Sequence, residues 1–126
     1  MLMYAWHSVP GVQKFGAYKG NGSNNGPVIK LGFRPALVIV KSMEATEPWA
    51  MYDNARNIAN PNNKGLYAND TSTENDASGR YKDFLSDGFK VGGNSGEQNS
   101  ANKYYFYMAW AEAPTFNLYG AQAPAR

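Results

Sequence analysis

Tyr81-Lys82-Asp83-Phe84-Leu85-Ser86-Asp87-Gly88-Phe89-Lys90-Val91 decides the fold class. Two short runs of aromatic and branched side chains flank Asp87-Gly88, a dipeptide that can supply the positive φ angles tight hairpin turns need. A β-hairpin is the reading, with its register set at the turn. Upstream, Leu37-Val38-Ile39-Val40 is apolar at every position, which predicts a central strand covered on both faces. Pro35 stands at its entry, where a missing N–H costs least. Downstream, Tyr104 to Glu112 alternates with period two. One face carries Tyr104, Phe106, Met108 and Trp110, and the other Tyr105, Tyr107, Ala109 and Ala111. The larger face is expected to be the core, with Ala109 and Ala111 open to close approach by another part of the chain or a neighbouring subunit.

Around these three segments, 14 Asn, 13 Gly and 7 Pro leave little room for long helices. They cluster at 20–26, 54–63, 69–79 and 92–102, and the runs between them predict strands at 3–6, 13–19, 28–31, 36–41, 49–53, 66–69, 81–85, 89–91 and 103–112. A single helical turn is expected at 54–58 inside an irregular loop. Strands at this spacing form an antiparallel sandwich or barrel.

The chain has 126 residues, so one domain spanning 1–126 is expected. Three Trp, nine Tyr and six Phe provide the burial that its aliphatic content does not. Without Cys, disulfides, thiolate metal sites and Cys nucleophiles are excluded, and the one His, His7, cannot build a multi-His cage. The longest apolar and aromatic run, Tyr104 to Ala111, is far short of the ~20 residues a membrane helix needs, so no membrane insertion is expected. The first residues lack the pattern of a signal peptide. Twelve Lys plus Arg against ten Asp plus Glu give a net charge of +2, spread along the chain, which argues against a nucleic-acid partner.

Gly20 to Gly26 fits neither common phosphate-binding pattern and reads as a flexible hairpin loop. Asn69, Asp70, Glu74, Asn75 and Asp76 are oxygen donors on one stretch, but their spacing matches no EF-hand, and polar turn residues are the simpler reading. No metal or other cofactor is expected. Asp53, Asp83, Glu97 and Glu112 could form a glycosidase pair, yet no catalytic signature surrounds them, and the chain is read as a non-enzyme. Aromatic side chains beside amides suit sugar, because a ring covers the apolar face of a sugar while amides meet its hydroxyls. Trp49, Tyr52, Tyr67, Tyr81 and Tyr119 are the candidate platforms, and each also fits a core position.

Trp6-His7-Ser8-Val9-Pro10-Gly11, Lys14-Phe15-Gly16-Ala17-Tyr18-Lys19-Gly20-Asn21-Gly22 and Gly32-Phe33-Arg34-Pro35-Ala36-Leu37-Val38-Ile39-Val40-Lys41 carry a family resemblance. Asp53-Asn54-Ala55-Arg56-Asn57, Asp83-Phe84-Leu85-Ser86-Asp87-Gly88-Phe89-Lys90 and Tyr107-Met108-Ala109-Trp110-Ala111-Glu112-Ala113-Pro114 extend it. From about Trp6 to about Pro114 the chain resembles uncharacterised domains found in structural proteins of tailed bacteriophages, many of them marine. The resemblance implies a lectin-like, jelly-roll kind of β-sandwich on a tail fibre or other exposed part of the virion. It supplies no catalytic residues. On that footing the expected partners are a bacterial cell-surface glycan or envelope component and other virion proteins, with a homotrimer on the particle. The alternative is a structural module that decorates, caps or trimerises the virion. Loops on a rigid sandwich are where recognition is expected, which adds Asn21, Asn24, Asn25, Asn69, Asn94 and Asn99 to Trp49, Tyr52, Tyr67 and Tyr81 as ligand-binding candidates.

Overall fold

The computed structural model describes residues 5–76 and 79–112. Among them nine strands form and no helix: β1 (Gln13–Lys19), β2 (Asn25–Lys30), β3 (Pro35–Ser42), β4 (Ala50–Asp53), β5 (Lys64–Tyr67), β6 (Asn75–Asp76), β7 (Arg80–Leu85), β8 (Gly88–Gly93) and β9 (Tyr104–Ala111). Every pairing is antiparallel. The larger sheet runs β1-β9-β3-β4-β5, with the two-residue β6 beside β5, and the smaller runs β2-β8-β7. Neither closes on itself, and the two form a β-sandwich. No helix among the described residues is long and apolar enough to cross a membrane.

Val38, Val40, Tyr52, Tyr105, Tyr107 and Ala109 from the larger sheet, with Ile29, Phe84, Phe89 and Val91 from the smaller, make the core. The rings of Phe89 and Tyr107 meet edge to face across it, with centroids 5.6 Å apart. Tyr18 stacks on Tyr105 at 5.3 Å. Burial pushes the Tyr18 hydroxyl well above its usual pKa, and it donates to the Gln98 carbonyl at 2.8 Å.

The two faces of β9 are the reverse of the sequence expectation. Tyr105, Tyr107 and Ala109 are buried against the smaller sheet, whereas Phe106, Met108 and Trp110 are half-buried on the outer face and Tyr104 is exposed. Space for the inner tyrosines comes from glycines opposite them in register. Gly16 faces Tyr107, and a Cβ there would stand 2.8 Å from its hydroxyl; Gly65 likewise faces Tyr52. Ala109 is therefore a core residue, closed to a neighbouring subunit.

The hairpin forms, but its turn is Ser86-Asp87. Gly88 pairs with Leu85 as the first residue of β8, and its φ is not positive. Glycine is needed there for close approach: a Cβ would fall 2.0 Å from the Ile29 carbonyl oxygen. β3 is central, between β9 and β4, yet within its apolar run Val38 and Val40 on the inner face are fully covered while Leu37 and Ile39 are half-buried. At 54–58 a plain turn replaces the expected helical one. Asp53 Oδ1 accepts the N–H groups of Ala55 and Arg56, and Asn57 then reaches Pro61 and Asn63 instead of continuing a helix. Ala5 and Trp6 carry no strand; Met3, Tyr4 and Tyr119 lie outside the described residues.

Candidate binding groove and buried polar cluster

Antiparallel register places Phe15, Met108, Ile39, Met51 and Leu66 in one row across five strands. All five are half-buried on the outer face of the larger sheet. Trp6 lies against Phe15, which meets Trp110 edge-on, each pair with centroids 5.8 Å apart. Beside this row a groove of about 590 Å³ is lined by Trp6, Trp49, Ala68, Asn69, Phe106 and Met108. Trp6 reaches it from the β1 side and Trp49 from the β4 side. Two hydrogen bonds hold the Trp49 segment against the end of β5: Ala68 N–H donates to the Trp49 carbonyl and Trp49 N–H to Asn69 Oδ1, both at 2.9 Å.

Of the sequence candidates, this groove unites Trp49 and Asn69. Asn21, Asn24, Asn25, Tyr81, Asn94 and Asn99 gather elsewhere, where the β1–β2 loop meets the β8–β9 loop. There the amides hold the loops together. Asn21 Oδ1 accepts from Ser23 N–H and Asn99 Nδ2, its Nδ2 donates to the Asn25 carbonyl, and Tyr81 hydroxyl donates to the Asn24 carbonyl at 3.3 Å. Asn21, Asn24, Asn25 and Asn94 are exposed, whereas Asn99 is fully buried and so is structural. Tyr52 is a core residue, because Gly65 and the interior of β4 leave it a slot between the sheets; it faces no ligand. Tyr67 is half-buried, with its hydroxyl donating to Glu97 Oε1 at 2.7 Å.

Four of the acids considered for cation or catalytic roles are engaged with partners. Glu74 meets Arg56 and Lys64, Asp53 meets Arg56, Glu112 meets Arg34, and Asp70 accepts from Ser72. Among the described residues no three His, Cys, Asp or Glu side chains gather as a metal site.

Residues that sequence reasoning missed lie between the sheets. Lys82 and Arg80 on β7 point inward with Phe84, and Gln98 reaches in from the β8–β9 loop beside Glu97, which the sequence offered only as a glycosidase acid. Arg80 pairs with Glu97 and lies 4.8 Å from the centre of the Tyr67 ring. Lys82 Nζ donates to Gln98 Oε1, and burial, followed by the charge of Arg80, lowers its pKa to about 7 against the pull of Glu97. Asn62 Oδ1 and Arg80 Nε are buried without a partner among the described residues. The alternation Arg80, Lys82, Phe84 was the available signal, since register fixed by Phe84 carries both cations inward.

Fold and site together define an open antiparallel β-sandwich with an aromatic groove on one outer face. The chain belongs to a family of domains of unknown function, DUF7483, which it matches over residues 1–114. No curated protein and no solved structure shows a significant match to it.

Proposed function

We propose that this domain is a non-catalytic attachment module that takes a glycan of a bacterial surface into the Trp6–Trp49 groove. The observation that carries this reading is the meeting of Trp49 and Asn69 with Trp6 and Phe106 in one groove. Aromatic walls of this kind suit the apolar face of a sugar, and the Asn69 amide suits its hydroxyls. The resemblance to phage structural proteins supports a place on the virion, on a tail fibre or another external appendage. To test the reading, labelled domain is added to a panel of host and non-host bacteria and to an array of bacterial glycans. Some hosts bind the wild-type chain, and the Trp6→Ala, Trp49→Ala double variant does not label them. Failure to label any host that the intact virion labels, or undiminished labelling by the double variant, overturns it.

A second reading rests on the apolar row Phe15, Met108, Ile39, Met51 and Leu66. A half-buried row this long suits a protein neighbour on the particle, as in a decorating, capping or trimerising module. Deleting the protein and scoring assembly apart from adsorption separates the two readings. Loss of assembly favours the structural role.

A further inference from the structure

Lys82 is fully buried, and so is Gln98. An ammonium has three protons to donate, whereas Lys82 Nζ has one hydrogen-bond partner among the described residues, Gln98 Oε1, and otherwise rests on the face of Tyr52, 4.4 Å from the ring centre. Nearby charges do not neutralise it. Glu97, the one carboxylate acting on it among the described residues, already pairs with Arg80, so an ammonium here adds an uncompensated positive charge to a dry interior. Such a charge is costly without a partner, and the group instead sheds its proton. A neutral, desolvated lysine is a nucleophile, and burial takes Lys82 to that state near neutral pH.

Its contact is an electrophile, held in place. Gln98 Nε2 donates to the Gly92 carbonyl at 2.5 Å and to the Tyr81 carbonyl at 3.4 Å, which fixes the amide plane beside the amine. The carboxamide carbon lies one C=O bond, about 1.2 Å, from the oxygen that Nζ touches. The turn from Ser95, whose carbonyl accepts the N–H groups of Gln98 and Asn99, anchors the backbone from which Gln98 points inward. Nucleophile and carbonyl are thus brought together by β7 and the loop that leaves its partner strand β8 and folds back over the Tyr81–Gly92 pair before leading into β9.

We propose that Lys82 and Gln98 become joined by an isopeptide bond between Lys82 Nζ and Gln98 Cδ. The neutral amine attacks Cδ, a C–N bond forms, the Cδ–Nε2 bond breaks, and one amine proton goes to Nε2, which leaves with its own two hydrogens as ammonia. No oxidant, reductant or cofactor enters the balance. The product is a neutral secondary amide, which removes the buried titratable amine and ties β7 to the loop entering β9.

The test is the mass of the folded full chain after incubation at pH 8, followed by trypsin digestion and tandem mass spectrometry. The expected mass is lower than that of the sequence by one ammonia, and the digest contains residues 81–90 joined to residues 91–103, uncut after Lys82. Lys82→Met and Gln98→Met each have the full mass of their sequences at this linkage. A folded wild-type chain that is cut normally after Lys82 overturns the proposal. So does an ammonia loss that maps to Asn21-Gly22 or Asn25-Gly26, where succinimide formation gives the same mass change.

Discussion

Lys82 Nζ lies 4.4 Å above the centre of the Tyr52 ring, and both side chains are sealed between the sheets. Their titrations bracket a pH window. Burial lowers Lys82 to about 7, whereas an unfolded lysine titrates near ~10.4. Between those values the unfolded chain binds the extra proton, so stability rises with pH. Burial acts oppositely on the Tyr52 hydroxyl, raising it well above its usual value, so above about pH 10 stability falls as the unfolded tyrosine ionises. With Gln98→Met as the chain whose amine stays free, urea unfolding should show stability rising by a few kcal/mol, on the order of one kcal/mol per pH unit, from about pH 7 to pH 10. The Lys82→Met, Gln98→Met double variant should lack that slope. Equal slopes in the two chains would mean that Lys82 does not titrate as its burial requires.

Asn99 should matter to folding and not to ligand. Its Nδ2 donates to the carbonyls of Ser23 and Gly93 at 2.8 Å, and its Oδ1 accepts from Asn21 N–H at 3.0 Å. Asn99→Ala leaves buried polar groups without partners, at a cost of about 2–3 kcal/mol. Hydrogen exchange at Asn21 and at Gly22, whose N–H donates to the Asn99 carbonyl, should accelerate while labelling of host cells at saturating domain is retained.

Two glycines of similar backbone conformation should respond differently to alanine. Gly32 has φ 83° with nothing within 4 Å of a built Cβ, so Gly32→Ala should cost about 1–2 kcal/mol from conformation alone. Gly93 has φ 81°, and a Cβ there would stand 2.0 Å from the Gly79 carbonyl oxygen. Gly93→Ala should therefore lower the melting temperature by clearly more than Gly32→Ala, because the β7–β8 pairing must shift as well.

Ala109→Leu tests the orientation of β9. Ala109 stands between Lys14 and Val38 on the inner face and is fully buried. The larger side chain should destabilise the domain by about 1–3 kcal/mol through overpacking. An unchanged melting temperature would place the residue on the outside.

The strands at 13–19 and 81–85 were readable because turn residues punctuate them and alternation is clear. Which side of β9 faces inward was not, since period two sorts residues into two sets without saying which set is buried. Size favoured Phe106 and Trp110, whereas the answer depended on Gly16, which is remote in sequence from Tyr107 and opposite it only once the ladder forms. Trp49 and Asn69 could be named from residue chemistry, but Trp6 and Phe106, which complete the groove, needed the register of β1, β9 and β3. Lys82 was hidden by the ordinary expectation that lysine is exposed.

Neighbouring placement of β1 and β9 has a mechanical consequence. Gln13 pairs with Trp110, so the path enters the larger sheet and leaves it side by side. A pull applied at those two points opens the β1–β9 ladder rung by rung from Gln13 toward Lys19, instead of loading all its hydrogen bonds together. Separation of β9 from β1 therefore proceeds at low force, like a zipper. The same geometry lets the sandwich sit between two segments of a larger assembly without lengthening the distance between them, and because Phe106 and Met108 of β9 line the groove with Trp6, which packs on Phe15 of β1, opening that ladder also takes the groove apart.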